Sequence, residues 1–217
     1  MEGRQVTVDG EVHSAEEVGP LVKKYGVAIW RGLVPTDIAG RVIEPVLANV
    51  GNEEAYVTRK YGVLDMGVLP EDLRRACVVP NMVSVYHQML GGAVTVNGEV
   101  YFTAPDILPH AWHQDARAGD ERYHALSWTA VMPCGIDQPG LSFALGNPGR
   151  YAGPEQEGLD GLDVISPVFQ PGDTFFFDVF SFHKTNINPG MKYSRIAYKI
   201  IARPAAAYAT SNPRGLN

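Results

Sequence analysis

Residues Pro171–Val179 read PGDTFFFDV, and this segment is the clearest indication of the fold class. It begins with a Pro-Gly turn, and the apolar residues after the turn form a run typical of a buried β-strand. Similar short runs occupy residues 125–132, 141–145, 164–169 and 195–202, and turn dipeptides bound most of them. With 23 Gly and 16 Pro in 217 residues, the chain has enough turn formers for many short strands. The pattern predicts a mainly β protein, either a sandwich or a jelly roll.

Two more strand signals lie immediately before this core. Residues 82–86 read MVSVY, a composition that favours a strand. Val94–Val96 and Val100–Phe102 flank the dipeptide Asn97-Gly98, which tolerates positive φ at both central positions of a two-residue turn. We therefore expect a strand at 82–86 and a hairpin over 94–102.

The first third of the chain predicts helices. Ser14 and Glu17 have the spacing of a capping box, and apolar residues at helical spacing run from there to a possible stop at Gly26. A second helix is expected over Thr36–Asn49, although it contains a proline. Between the two helices, the apolar run Val27–Trp30 predicts a strand.

The expected organisation is one domain over residues 1–217, since no linker, repeat or low-complexity tract interrupts the chain. A helical flank with its first strand (1–80) would precede the jelly-roll core (81–203). A peripheral tail (204–217) would follow the core.

Composition limits the expected partners and location. The chain has 18 Lys and Arg against 24 Asp and Glu, and this net charge of −6 disfavours binding to nucleic acid. Two cysteines are too few for a disulfide framework or a thiolate zinc site. No apolar run approaches the roughly 20 residues of a membrane span, and the start of the sequence does not resemble a signal peptide. We expect a cytoplasmic protein that acts on a small molecule, away from membranes, and no pattern predicts an oligomeric state.

The basic residues near the C-terminal end do not change this expectation. They are few and alternate along a strand, which is a poor track for phosphates. They are Lys192, Arg195, Lys199 and Arg203.

The segment Pro109–Asp115, PHAWHQD, is the strongest candidate for chemistry. Residues i and i+2 of a strand point to the same face, so His113 and Asp115 would present an imidazole and a carboxylate together. That pair is two-thirds of the facial triad that binds non-haem Fe(II) and leaves coordination positions open. His183, after the next apolar strand, is the best third ligand, whereas His110 would fall on the opposite face and is a weaker one.

Arg195 adds a second chemical element at the start of the following strand. Arginine forms bidentate pairs with carboxylates, so a metal with open positions beside it suits a chelating 2-oxo acid. Each piece alone has an ordinary explanation: an H-x-D triplet often arises by chance, and a strand histidine or a lone arginine is usually structural. The joint order of H-x-D, Gly-Asp turn, apolar strand, His and Arg is what favours a metal site.

Taken together, these motifs resemble the phytanoyl-CoA dioxygenase-like branch of the Fe(II)/2-oxoglutarate-dependent oxygenases. The resemblance covers most of the chain. It rests on segments Tyr25–Gly32, Trp112–Asp115, Trp128–Val131, Gly140–Phe143, Pro171–Phe177 and His183–Arg195.

The resemblance implies a double-stranded β-helix core with iron bound by His113, Asp115 and His183. It implies that Arg195 binds the distal carboxylate of 2-oxoglutarate, with two further residues, Thr185 and Trp128, near the co-substrate. Because related halogenases replace the carboxylate ligand by a small residue, Asp115 implies hydroxylation or another oxidation. The reaction would consume O2 and 2-oxoglutarate, release succinate and CO2, and oxidise a C–H bond of a small molecule, as in natural-product biosynthesis.

The walls of a substrate pocket are less clearly marked, because aromatic residues serve equally well as core. The candidates are Tyr101, Phe102, Trp112, Phe182 and Gln88, with Tyr56 and Tyr61 as further aromatic residues. The roles of His87 and His110 stay open. Two alternatives also stay open: a cupin-like metal enzyme that does not use 2-oxoglutarate, and a non-catalytic jelly-roll binding protein.

Overall fold

The computed structural model of this chain contains two β-sheets, with helices packed against one of them. The structure describes residues 4–5, 12, 14–50, 61–107, 111–116, 123–146, 149–152, 159 and 161–205. The strands are β1 (Arg4–Gln5), β2 (Val27–Trp30), β3 (Tyr61–Asp65), β4 (Val94–Thr103), β5 (Ala125–Ala130), β6 (Gly140–Ala144), β7 (Asp163–Ile165), β8 (Thr174–Asp178), β9 (His183–Asn186) and β10 (Arg195–Pro204). The helices are α1 (Ala15–Tyr25), α2 (Thr36–Arg41), α3 (Ile43–Val50), α4 (Glu71–Ala76) and α5 (Pro80–Leu90), with a 3-10 turn at Met66–Val68.

The smaller sheet has the strand order β1-β7-β6-β9, and the larger has the order β2-β8-β5-β10-β4-β3. All neighbouring strands pair antiparallel except β1 and β7. One apolar cluster joins the inner faces of the two sheets, and a second packs the helices against the outer face of the larger sheet. The prediction of a mainly β jelly roll with flanking helices is confirmed.

The turn that introduces β8 depends on glycine. Gly172 has φ 91°, and a Cβ at this position would lie 2.0 Å from the carbonyl oxygen of Val34. The Val34 N–H donates a hydrogen bond of 3.1 Å to the Gly172 carbonyl, which ties the two chain segments together. Because any side chain would break this close approach, the Pro-Gly turn predicted from the sequence has a packing reason as well as a conformational one.

The strand predicted at 82–86 is wrong, since these residues lie inside helix α5. Its buried residues are Met82, Val85 and Tyr86, a spacing of three and four that fits a helix. Pro80 occupies the first turn, and Gly91 ends the helix with φ 71°. The run of β-formers concealed a helical period.

The hairpin predicted at Asn97-Gly98 is also wrong, because both residues lie in the middle of the continuous strand β4. They pair with Ile201 and Ile200 of β10. A Cβ on Gly98 would lie 2.4 Å from the sulfur of Met66, so this glycine allows a close approach within the sheet and does not form a turn.

The N-terminal helix is confirmed, and Gly26 ends it with φ 83°. The Ser14 hydroxyl donates to the Glu17 carboxylate at 3.3 Å and makes no hydrogen bond to the helix backbone, so the capping box is incomplete. The expected second helix is divided into α2 and α3 at Val42. Pro45 explains the division, because it has no N–H to donate to the carbonyl four residues earlier.

Two strands also differ from expectation. Strand β3, which lies within the first 80 residues, was not predicted. It pairs antiparallel with β4. Strand β10 extends to Pro204, which pairs with Val94. Residues 206–217, Tyr56 and His110 lie outside the described residues. No helix in the described ranges is both long enough and apolar enough to cross a bilayer.

Candidate metal centre

The three residues predicted to bind iron lie together at one end of the space between the sheets. His113 and His183 face each other in a β-bridge, and each N–H donates to the other's carbonyl at 3.0 Å. Each of His113, Asp115 and His183 offers one ligand atom, and these atoms all lie within 4.8 Å of one another. The arrangement has the composition of a facial triad.

Both imidazoles are oriented by backbone carbonyls. Nδ1 of His183 lies 3.0 Å from the Ser181 oxygen, and Nδ1 of His113 lies 2.9 Å from the Ala111 oxygen. Because a carbonyl oxygen only accepts, each Nδ1 carries the proton and donates. Each Nε2 then keeps its lone pair, as a metal ligand must.

The protonation states also suit a metal. Burial lowers the pKa of His183 to about 4, and the attraction of Asp115 opposes this shift only in part. Burial disfavours the charged form of Asp115, but the neighbouring His183, Lys199 and His113 outweigh it and lower the pKa of the carboxyl. At neutral pH the site therefore offers a neutral imidazole and a carboxylate, the forms that ligate a divalent metal.

Gln114, between two of the candidate ligands, anchors the segment on its opposite side. Its side-chain amide is buried and donates to the carbonyls of Phe180 at 2.6 Å and Arg150 at 3.0 Å. Its oxygen accepts from the Ala152 N–H at 2.8 Å. The alternation expected for H-x-D holds here, although the structure places only a single β-bridge at His113 and no full strand.

A buried turn positions His183. The Asp178 carboxylate accepts from the Phe180 N–H at 2.9 Å and from the Ser181 hydroxyl at 3.1 Å. The same hydroxyl lies 2.6 Å from the Gly26 carbonyl oxygen, just before β2. The turn from β8 into β9 is therefore tied to the first strand of the sheet, so that the direction of His183 depends on residues far apart in the sequence.

Arg195 is a buried cation without a carboxylate partner in the described part of the chain. Its side chain donates to the Gly140 carbonyl at 2.8 Å and to the Thr103 hydroxyl at 3.0 Å, and its guanidinium lies 5.2 Å from the centre of the Trp128 ring. Burial lowers its pKa, and its Nε has no hydrogen-bond partner among the described residues. A buried cation with a donor to spare is unfavourable unless an anion completes it, so this feature fits a carboxylate ligand.

A cavity of about 170 Å³ joins the candidate ligands to Arg195. It is smaller than the roughly 300–1,000 Å³ typical of pockets for drug-sized ligands. A co-substrate of a few carbon atoms suits this volume better than a whole large substrate. The lining residues are Tyr61, Tyr101, His113, Asp115, Trp128, Leu141, Phe177, His183, Thr185, Arg195 and Lys199.

The structure brings Trp128, Thr185, Arg195 and Tyr101 to this cavity as expected, but four predicted pocket residues are not among its lining. Phe102 packs toward the helices, because it alternates with Tyr101 along β4. Phe182 is buried outside the lining, one residue before His183.

The other two lie on outer surfaces. The Trp112 ring lies beside Lys184, whose Nζ is 5.0 Å from the ring centre. Gln88 and His87 are exposed on helix α5, where Gln88 hydrogen-bonds Glu16 of α1. The mistaken strand at 82–86 is the reason that Gln88 was expected at the site.

Lys199 is a site residue whose placement the sequence analysis missed, because it was considered only as one of several scattered basic residues. A signal was present. Lys199 follows Arg195 by four positions in one strand, and an even spacing places both residues on the same face.

Comparison with known proteins supports the fold. No model of a known protein family matches the sequence, and no curated protein shows significant sequence similarity. Among solved structures, the chain is similar to the epimerase SnoN in complex with Fe3+, α-ketoglutarate and nogalamycin RO. The two are 16% identical over 94% of this chain and 92% of that one, with a TM-score of 0.66.

Two further structures show the same likeness. The non-haem α-ketoglutarate-dependent carbocyclase SnoK from nogalamycin biosynthesis is 16% identical over 96% of this chain and 97% of its own, with a TM-score of 0.64. EctD from S. alaskensis, with 2-oxoglutarate and 5-hydroxyectoine, is 13% identical over 93% of this chain and 80% of its own, with a TM-score of 0.71. At these identities, the likeness establishes that the chain has the fold of these 2-oxoglutarate-dependent enzymes.

Proposed function

We propose that this protein is an Fe(II)- and 2-oxoglutarate-dependent dioxygenase that oxidises a C–H bond of a small molecule. The observation that carries the proposal is one small cavity that joins a His-Asp-His cluster to a buried arginine, whose Nε has no hydrogen-bond partner in the part of the chain that the structure describes. A metal site and an anion site in the same cavity suit one chelating dianion. The fold shared with SnoN, SnoK and EctD supports the same reading.

The residues present fit both groups. His113, Asp115 and His183 would hold the iron, and Arg195 would hold the distal carboxylate of 2-oxoglutarate through its unused N–H donors. Bound together, Fe(II), 2-oxoglutarate and O2 supply the oxidising power and release succinate and CO2. Thr185 is buried on β9 and lines the same cavity as Arg195, where its hydroxyl would offer a further hydrogen-bonding group to the co-substrate.

The apolar wall has a protective role in this proposal. Leu141, Phe177 and Trp128 give the cavity an apolar part of its wall. A dry wall favours reaction with the bound substrate over reaction with solvent. Leu141 pairs directly with Thr185 across β6 and β9, so the polar and apolar parts of the wall are held in one register.

Asp115 supplies the carboxylate of the candidate triad, which favours hydroxylation or another oxidation over halogenation, and hydroxylation is the reaction proposed. Structures of the same fold include an epimerase and a carbocyclase, so the outcome depends on which C–H bond the protein holds nearest the metal. We propose a natural-product intermediate as the substrate and membership of the phytanoyl-CoA dioxygenase-like branch as the family. We also propose one domain over residues 1–217 and a cytoplasmic location.

The test is the formation of succinate from 2-oxoglutarate with Fe(II), screened across candidate small molecules. Slow turnover without substrate is expected, and an added substrate should raise it. His183→Ala should abolish both signals, whereas His87→Ala, an exposed histidine outside the cavity, should not. Absence of both succinate formation and 2-oxoglutarate binding would exclude this function.

A metal enzyme that does not use 2-oxoglutarate is the other candidate. It would retain its activity when Arg195 is replaced, because it needs no dicarboxylate anchor. Under the proposed function, Arg195→Met abolishes 2-oxoglutarate turnover and leaves Fe(II) binding intact. The pair of measurements separates the two enzymes.

A further inference from the structure

We propose that Lys199 is a positioning residue that holds the Asp115 carboxylate in place, as part of a chain of contacts Tyr101–Glu99–Lys199–Asp115. The inference rests on the proposed function, since it concerns the same metal centre. It goes beyond that function by assigning a role to a cavity residue that neither binds the metal nor holds the co-substrate.

The sheet register places Lys199 in the middle of the larger sheet. On β10 it pairs with Glu99 of β4 on one side and with Trp128 of β5 on the other. Its side chain projects to the same face as that of Arg195, into the cavity. The lysine is therefore carried by a central strand with a neighbour on each side, which restricts where its ammonium group can go.

Two carboxylates engage the ammonium group. Nζ of Lys199 lies 3.3 Å from Oδ2 of Asp115 and 3.4 Å from Oε2 of Glu99. Glu99 is held in turn by the Tyr101 hydroxyl, which donates to the same Oε2. The Tyr101 ring also lies under the ammonium group, 5.3 Å from Nζ to the ring centre. Direct contacts therefore connect Tyr101, in the wall of the cavity, to the candidate metal ligand Asp115 through Glu99 and Lys199.

Burial makes these contacts matter. The side chain of Lys199 is 13% exposed, that of Asp115 24% and that of Glu99 31%. Ion pairs on open surfaces contribute little, but partly buried pairs are screened less by solvent. Since two carboxylates already surround the ammonium group, Lys199 is poorly placed to bind an anionic substrate.

The contact has a consequence for metal binding. Lys199 contacts Oδ2 of Asp115, which leaves Oδ1 for a metal. A carboxylate held in this way is favoured as a one-oxygen ligand. Without Lys199, Asp115 would be free to turn and bind through both oxygens, which would occupy a coordination position that the co-substrate or O2 needs.

The experiment compares Lys199→Met and Lys199→Arg with the wild-type protein, using Co(II) as the probe metal under anaerobic conditions. The visible absorption spectrum of bound Co(II) reports the number and arrangement of ligands. We expect the methionine variant to have an altered spectrum and about tenfold slower succinate formation, the lower range of effects for groups that orient metal ligands. The arginine variant, which keeps a cation near Asp115, should restore the wild-type spectrum.

Glu99→Gln is the matched variant on the other side of the lysine. It keeps Lys199 but removes one of the two charges that hold it, so its effect on the Co(II) spectrum should be in the same direction and smaller. Thermal unfolding of each apo-protein identifies any variant that fails to fold. If the lysine variant alone does not fold, the glutamine variant still tests the chain of contacts.

The outcomes separate this inference from the proposed function. If wild-type protein binds neither Co(II) nor Fe(II), the proposed function fails. If it binds Co(II) and forms succinate but Lys199→Met has an unchanged spectrum, the positioning role is wrong. Tighter Co(II) binding with an unchanged spectrum also overturns it, because Lys199 would then act only as a competing charge.

Discussion

The two faces of strand β10 differ, because the inner face combines the apolar Ala197 and Ile201 with charged residues and the outer face does not. On the outer face, Ile196, Tyr198 and Ile200 are buried against the helices, and every one of them is apolar or aromatic. On the inner face, Arg195 and Lys199 line the cavity beside the candidate metal ligands. A single strand thus contributes to the apolar core with one face and to the site with the other.

This difference shows that residues on one face of the sheet mainly stabilise the fold, whereas residues on the other face form the candidate site. Apolar burial on the outer face contributes favourably to folding. The buried guanidinium of Arg195, which has no ionic partner in the described residues, does not stabilise the fold in this way. Removing its charge from water costs more free energy than its hydrogen bonds to neutral groups restore. Substitutions on the two faces should therefore have separable effects, on unfolding in one case and on ligand binding in the other.

The largest expected effect is at the metal centre. His183→Ala removes one of three ligands, so Fe(II) or Co(II) binding and succinate formation should be lost, because two remaining ligands hold the metal poorly. Metal titration and succinate formation measure the effect, and Ile200→Val on the outer face is the control with retained activity. Full activity of the His183 variant would disprove the site.

Arg195→Met is expected to have the next largest effect. Loss of a buried charged partner costs about 2–5 kcal/mol of binding, which is roughly 30-fold to several-thousand-fold in 2-oxoglutarate affinity. The free energy of unfolding of the apo-protein should be unchanged or higher, because an unpaired buried cation is removed. Calorimetric titration and denaturant unfolding measure the two quantities, and unchanged 2-oxoglutarate affinity would contradict the assignment.

Ile200→Ala tests the outer face directly. The side chain is 1% exposed in the cluster that packs the helices on the sheet. Its truncation should lower the free energy of unfolding by about 2–5 kcal/mol. The KM for 2-oxoglutarate of the folded fraction should not change. A changed KM with unchanged stability would mean that the two faces are not separable.

Gly98→Ala tests a close contact on the same outer face. A methyl group there would meet the Met66 sulfur, and overpacking of this kind costs about 1–3 kcal/mol. Combining it with Met66→Ala removes the closest of these contacts, the one with the sulfur, so the effects of the two substitutions on unfolding should be less than additive. Strict additivity in denaturant unfolding would show that Met66 is not the cause.

Tyr198→Phe should have the smallest effect. The hydroxyl donates a buried hydrogen bond of 3.1 Å to the Cys77 carbonyl, and such bonds contribute about 0.5–1.5 kcal/mol. We expect a loss of about this size in the free energy of unfolding with no change in succinate formation. A larger loss of activity than of stability would link this face to the site.

Much of the site was predictable because it depends on local order in the sequence. The H-x-D spacing puts His113 and Asp115 on one face, and the order of a turn, an apolar strand, His183 and Arg195 indicated the rest. Strands β2, β5, β6, β8 and β10 were also indicated by short apolar runs with turn residues beside them.

The failures share a different cause. Residues 82–86 are β-formers, yet their buried positions follow a helical period that is visible only when the packing partner is known. Asn97-Gly98 favours a turn locally, but Met66 packs so closely over Gly98 that the same glycine is needed inside a strand. In both cases the tertiary environment outweighed local propensity.

Residue type and short-range periodicity were enough to predict the jelly-roll class, the three candidate ligands and an arginine near them. The folded chain was needed to show that Lys199 stands between Glu99 and Asp115. It was also needed to show that the Nε of the buried Arg195 has no hydrogen-bond partner among the described residues. These facts depend on how β4, β5 and β10 pair, and on which chain segments meet at the cavity. Such distances arise between residues far apart in the chain, where no local pattern records them.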